Sequence, residues 1–334
     1  MNNETPKLEH HSHPLRMGIR VLEGAEADSI DLGPLRDLQG TWEGVAFDGW
    51  NVIAVPGPRS NGGPGGFILE IIPYKEFLTF RPVVQAGNRG TFDDFKQQDQ
   101  QITGLMYEQK IISVCDKGNC AEMGFPAGTE IHAETGLILY IKDCVKAQDQ
   151  NDETCQVSQY NIARLATVPH GNSILLLGTS DNAVPVNNDF FDKASTVPTP
   201  VNKGDSFQFG YTDGFKVPEP LRLFPEFNQQ DPNTFLSETL TKNNQKITAM
   251  TTISMSSNNA SGGILNIPFG DNVVKAVDMD ATFWIQQIEG SDTLQLQYSQ
   301  TINLNFPGMS FTAKPIPVIW PHVTVNTLKK VLMK

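Results

Sequence analysis

The chain has 334 residues and a formal net charge of −12, from 37 acidic and 25 basic residues. It contains no basic block or stripe, which disfavours nucleic acid and anionic membrane surfaces as partners. It also contains no apolar run of about eighteen residues, so no transmembrane helix is predicted. The opening stretch, "MNNETPKLEHHSHPLRMG", lacks the apolar core of a secretory signal, and we therefore expect a cytoplasmic protein.

The chain begins with a polar stretch and continues mainly as predicted strands. Residues 1–32 are predicted to be a disordered or extended arm, and residues 33–334 a single elaborated β-barrel domain. A short helical turn in "DLGPLRDLQG" precedes the first strand, which opens with Gly40, Thr41 and Trp42 in "GTWEG". Apolar segments bounded by Gly, Pro, Asn or Asp follow, as is typical of an all-β protein.

The four cysteines form two closely spaced pairs. Cys115 and Cys120 bracket "DKGN", which suits a tight turn between two strands, and Cys144 and Cys155 bracket a polar loop. Each pair is close enough in sequence to form a disulfide across a hairpin. Free, buried thiols are the alternative. Disulfides would indicate an oxidising compartment, whereas the missing signal indicates a reducing one.

The region from about 181 to 260 is predicted to be a long insertion that runs over the surface of the barrel. Its first part is rich in Pro, Asn and Asp, and aromatic residues such as Phe190 and Phe191 punctuate it. The stretch "DPNTFLSETLTKNNQK" predicts a helix, because Asp231 can cap it and Pro232 suits its first turn.

The last strands show the clearest pattern in the chain. Residues 294–306 alternate strictly, with one mainly apolar face and one face of amides and hydroxyls. A strand of this length is typical of a closed barrel. The "GSDT" connection predicts that it pairs with residues 283–288. The uncharged polar face is consistent with a second layer over it or with a polar face of the barrel. We expect the first and last strands to pair and to bring Trp42 close to His322.

Three histidines lie in the body of the chain, and each has a structural and a functional interpretation. His132 in "IHAETG" suits a structural hydrogen bond, and His170 in "VPHGNS" suits a turn between two strands. His322 alternates with Val323 and shares a face with Thr324, which by itself favours a solvent-facing histidine. A neutral imidazole is also a good iron ligand.

Three further stretches, in the same order along the chain, carry a family resemblance. They are "ITGLMYEQKI" with Tyr107, "TEIHAETGLILYI" with His132, and "PHVTVNTLKKV" with His322. Together with "GTWEG", the set resembles the nitrobindin family of small haem-binding β-barrels. The Gly-x-Trp opening is also similar to that of lipocalins, where the tryptophan plugs the barrel floor. Over nearly its whole length, the chain resembles a longer bacterial group described as haem-binding by analogy.

The resemblance implies an all-β, calycin-like antiparallel β-barrel with a long elaborating insertion and one or two short helices. His322 matches the proximal ligand of the family, so it would bind the iron of haem b. Five further residues are assigned to the cofactor pocket: Thr41, Trp42, Tyr107, His132 and His170. Ferric haem with an open far side implies chemistry on nitrogen oxides, such as isomerisation of peroxynitrite to nitrate.

Two other functions are compatible with the same barrel. One is a metal-free carrier of a hydrophobic small molecule, bound inside the barrel or at its mouth. The other is an enzyme that acts on a hydrophobic substrate with pocket residues alone. No P-loop, GxSxG or HExxH motif is present to favour a particular reaction.

Overall fold

The computed structural model describes residues 30–56, 67–93, 96–122, 124–147, 154–168, 171–194, 196, 222–268, 274–306 and 318–332. These residues form eleven strands: β1 (Gly40–Pro56), β2 (Phe67–Asp93), β3 (Lys96–Ser113), β4 (Glu130–Ala147), β5 (Thr154–Val168), β6 (Asn172–Asn182), β7 (Ile247–Ser256), β8 (Gly263–Asn266), β9 (Lys275–Ile288), β10 (Leu294–Phe306) and β11 (Val318–Lys330). The helices are α1 (Asn119–Glu122), α2 (Asn233–Lys242) and two 3-10 helices, Gly33–Leu38 and Asp189–Lys193. No helix among the described residues is long and apolar enough to cross a membrane.

The strands close into an antiparallel barrel. The sheet runs β5-β4-β3-β2-β1-β11-β10-β9-β7-β6, and β5 also pairs with β6, so these ten strands form a ring. β8 pairs with residues 172–175 of β6, beyond the part of β6 that pairs with β7. The predicted all-β barrel is therefore confirmed, as is the pairing of β10 with β9 and of the first strand with the last. Closure pairs the backbone of every ring strand on both sides and leaves no open sheet edge in the ring.

The inside of the barrel is packed at one end. The 3-10 helix Gly33–Leu38 lies across this end, and its side chains Leu35 and Leu38 are fully buried. The Trp42 indole Nε1–H donates to the carbonyl oxygen of Leu38 at 2.7 Å, which satisfies the one polar atom of that side chain. Trp42 therefore belongs to the apolar plug that closes this end of the barrel.

A second hydrophobic cluster lies on the outer face of the barrel. Residues 247–256, which lie within the predicted insertion of about 181–260, form β7 of the ring. The Trp50 ring stacks on Phe227 with ring centroids 4.6 Å apart. The Gln297 amide donates to the carbonyl oxygen of Leu236 at 3.0 Å. The uncharged polar face of β10 is therefore covered by a second layer that contains α2.

Both cysteine pairs lie at bonding distance. Cys144 and Cys155 are directly opposite on β4 and β5, with Cα atoms 4.0 Å apart. Cys115 and Cys120 have Cα atoms 6.2 Å apart, yet they do not face each other across a two-strand hairpin. The "DKGN" turn leads into α1 instead, where Cys120 lies, because Gly118 at φ +72° lets the chain reverse into a helical turn.

We expect the unfolded, unreduced protein to show no reactive thiol and the reduced protein to show four, since neither pair leaves a free cysteine. Removal of the Cys144–Cys155 bridge by a double serine substitution should lower the free energy of unfolding by about 3 kcal/mol. Thiol titration with and without reductant tests the first result, and urea denaturation tests the second. Four thiols before reduction would contradict both bridges.

Candidate functional site

A buried ion pair lies in the lumen of the barrel, between β4 and β5. The Arg164 guanidinium is 3% exposed and donates to a Glu134 carboxylate oxygen at 2.8 Å. It also donates to the Tyr107 hydroxyl at 2.8 Å and to the Gln300 side-chain oxygen at 2.5 Å, and Tyr107 donates to Glu134. We call these four residues the Arg164 network. Each charged group in it is buried but matched by a partner of opposite charge.

The charges of the Arg164 network depend on one another. Burial opposes the ionisation of Glu134, but the field of Arg164 and hydrogen bonds from His132 and Tyr107 outweigh it and lower the pKa of Glu134 to about 2. Burial likewise disfavours the cationic form of Arg164, and the Glu134 carboxylate more than compensates and raises the pKa of Arg164. Glu134 is therefore ionised at neutral pH and is neutralised by Arg164.

A second polar group, the Glu76 network, lies beside the first. The Glu76 carboxyl accepts hydrogen bonds from Gln109 at 2.7 Å, Tyr298 at 2.6 Å and Asn326 at 2.6 Å. Tyr298 also contacts the hydroxyl of Tyr74 at 3.1 Å. Burial raises the pKa of Glu76 and outweighs these three donors and the field of His132, which act in the opposite direction.

Above the two networks, the lumen opens into a cavity of about 300 Å³. Residues of both networks, Glu134, Gln300 and Gln109, form part of its wall and place a polar floor beneath it. Most of its wall is apolar: Ile53, Ile72, Ile111, Phe125, Ile131, Val168, Ile174, Ile264, Val274, Ala276, Met279, Ile302 and Leu304. A mostly apolar cavity with a few convergent polar groups is typical of a small-molecule site.

Two histidines line this cavity. His132 on β4 has its Nε2 atom 3.3 Å from a Glu134 carboxylate oxygen, which makes it an extension of the Arg164 network. His322 on β11 has its Nε2 atom 2.7 Å from the Asn51 side-chain oxygen. The alternation of β11 therefore does not place His322 in solvent. The lumen is polar at this depth, and Val323 packs into the outer cluster instead.

Of the other residues assigned to the pocket, those that the structure describes lie elsewhere or beneath it. Tyr107 lies under the cavity as part of the Arg164 network, and His170 falls outside the described residues. Thr41 contacts Thr79, hydroxyl to hydroxyl, at 3.3 Å near the closed end. Trp42 pairs with Lys330, eight residues beyond His322 on β11. The expected proximity of Trp42 and His322 is thus wrong, because antiparallel pairing separates them by roughly 25 Å along the strand.

Sequence reasoning missed the residues that organise the floor. Arg164 stands in "QYNIARLATV", where a single charge interrupts a buried strand. Glu76 and Glu70 interrupt the apolar stretch of β2 in the same way. A lone charge within an otherwise apolar strand is the signal that could have revealed them, since buried charges need partners. Within the described residues, no group of three or more His, Cys, Asp or Glu side chains forms a metal site.

Comparisons with known proteins leave the family of the chain open. No family model and no curated protein matches it. Among solved structures, it is similar to Rv2717c from M. tuberculosis at 13% sequence identity and a TM-score of 0.36, over 90% of this chain and 100% of that chain. A similarity this weak identifies neither fold nor function. The class of the protein is defined by its own structure: a closed antiparallel β-barrel that contains a cavity between a polar floor and an open mouth.

Proposed function

We propose that the barrel binds a small, mostly apolar molecule in the lumen cavity. The observation that carries the proposal is the cavity itself, with about 300 Å³ enclosed by thirteen apolar side chains and a hydrogen-bonded floor. Removing apolar ligand surface from water contributes about 25 cal/mol per Å². The floor groups fix the orientation of the ligand, since buried polar groups favour a matching polar atom.

A cavity-filling substitution tests this proposal. Ala276 lines the cavity on β9 and is buried, whereas Ala249 on β7 is exposed. With 1-octanol as the probe, we expect Ala276→Phe to weaken binding by about tenfold or more, because the new ring occupies the space of the ligand. Ala249→Phe should bind as the wild type does. Isothermal titration measures both. Equal affinity in all three proteins would place octanol outside the cavity and overturn the proposal.

Haem is a second candidate, favoured by His322 at the cavity wall. An imidazole on a strand and apolar surroundings are what a haem site needs. Two features of the described residues fit less well. The cavity is at the small end of the range for ligand sites, and no Lys or Arg lines it to pair with the propionates. We therefore place a smaller ligand first and haem second. Bound haem would supply the iron chemistry, while this chain would hold the group and exclude water.

The haem candidate makes its own spectroscopic prediction. Titration of the protein with ferric haem should give a shifted Soret band that His322→Ala abolishes, because His322 matches the ligating position. His170→Ala, the matched control, should keep the band. A wild type without a shifted band would remove haem as a candidate and leave the smaller ligand.

A further inference from the structure

A second carboxylate, Glu70 on β2, lies next to residues that line the lumen cavity. It pairs with Ile53 of β1 in the antiparallel ladder, so the two side chains project to the same face of the sheet. Ile53 lines the cavity, and so does Ile72, two residues further along β2 on the same face. Glu70 is therefore on the lumen side of β2, one pleat away from Ile72. Only 1% of it is exposed to solvent.

Within the part of the chain that the structure describes, neither carboxylate oxygen of Glu70 has a hydrogen-bond partner. The other two lumen carboxyls are satisfied: Glu76 accepts three hydrogen bonds and Glu134 is paired with Arg164. A buried carboxylate without a partner carries a desolvation cost that folding alone does not offset. Burial raises the pKa of Glu70 to about 7. A donor group brought by a ligand would remove this cost.

The charges of the cavity wall restrict the ligand further. No Lys or Arg lines the cavity among the described residues, and Glu134 is the one carboxylate among its lining residues. Arg164 lies behind the floor, where it already donates hydrogen bonds to Tyr107, Gln300 and Glu134. A ligand carboxylate would therefore enter without a cation to pair with, which is costly in a buried site. A cationic head group of the ligand would instead pair with the Glu70 carboxylate.

We propose that the ligand is an apolar amine, with its hydrocarbon body in the cavity and its ammonium group bound by Glu70. This inference rests on the proposed function, because it assigns the head group of the same ligand. The ammonium donates hydrogen bonds to both Glu70 carboxylate oxygens. These charge-assisted hydrogen bonds are stronger than hydrogen bonds between neutral groups. Glu70 is then the residue that determines specificity, selecting bases over alcohols and acids of equal length.

Three probes with one hydrocarbon chain test the assignment: octylamine, 1-octanol and octanoate. At neutral pH we expect the wild type to bind octylamine more tightly than octanol by about tenfold or more, and octanoate most weakly. In Glu70→Gln the advantage of octylamine over octanol should disappear, while the affinity for octanol stays the same. The exposed carboxyl of Glu43 provides a control, since Glu43→Gln removes the same charge from the protein without touching the cavity.

The possible outcomes separate the two proposals. Octylamine preference that Glu70→Gln removes and Glu43→Gln keeps supports the assignment. Equal affinities for octylamine and octanol, or a preference that survives Glu70→Gln, would overturn it and leave the apolar cavity site in place. If none of the three probes binds the wild type, the proposed function fails, and the amine assignment fails with it.

Discussion

Replacement of Arg164 by methionine is expected to lower the free energy of unfolding by about 3–5 kcal/mol. The substitution leaves the buried Glu134 carboxylate without its cation. It also removes the hydrogen bonds that Arg164 donates to Tyr107 and Gln300. Methionine keeps a long, flexible side chain, so most of the loss arises from charge and not from an empty volume. Urea denaturation of both proteins measures the difference.

Two comparisons make this result specific to the buried pair. The double substitution Arg164→Met with Glu134→Gln should recover part of the lost stability, because no uncompensated charge then stays buried. For the exposed pair Lys246 and Glu289, which are 3.0 Å apart, replacement of Lys246 by methionine should cost at most about 1 kcal/mol. A loss in Arg164→Met as small as this surface control would contradict the account of the floor.

Substitution of Glu70 by glutamine is expected to stabilise the protein at pH 8 and to have little effect near pH 4.5. The pKa of this carboxyl is about 7 in the folded chain and about 4.5 in the unfolded chain. Between pH 4.5 and pH 7 the folded chain binds more protons than the unfolded chain, so the free energy of unfolding falls as the pH rises. The resulting loss in the free energy of unfolding is complete above pH 7 and amounts to about 3 kcal/mol.

The wild-type curve alone does not isolate this effect, because Glu134 acts in the opposite direction: its pKa of about 2 gives stability that is lost as the pH falls below about 4.5. The contribution of Glu134 cancels when the free energy of unfolding of the wild type is subtracted from that of Glu70→Gln. We expect this difference to grow by about 3 kcal/mol from pH 4.5 to pH 8. Glu43→Gln should show no such trend. A constant difference for Glu70→Gln would mean that the carboxyl is solvated in the folded protein.

The local patterns of the sequence predict the barrel well. The strict alternation of residues 294–306 and the short "GSDT" turn predict β10 and its pairing with β9, because period-two patterns and turn residues are local properties. The same pattern left open whether a second layer covers the polar face or that face belongs to a polar barrel wall, and the contact of Gln297 with α2 supports the second layer. For His322, alternation alone favoured a solvent-facing side chain, whereas the side chain lines the lumen cavity. Alternation shows which residues share a face, but it does not show which face is the lumen when that lumen is polar.

The floor of the cavity could not be predicted in the same way. Arg164 and Gln300 are separated by 136 positions in sequence, and their contact depends on the closure of the ring. The partners of Glu76 lie on three other strands for the same reason. A lone charge in an apolar strand indicates that a partner exists, yet only the register of the barrel identifies it. The unpartnered state of Glu70 likewise depends on which side chains the fold brings near it.

The most direct test of the lumen site is an experimental structure of the protein crystallised with 1-octanol. We predict density for the octanol chain in the cavity, in contact with Ile131 of β4 and Ile302 of β10, and above Glu134. A parallel structure of Ala276→Phe should show the phenyl ring in place of the octanol chain. Octanol bound only on the outer face, or a lumen filled by its own side chains, would contradict the account.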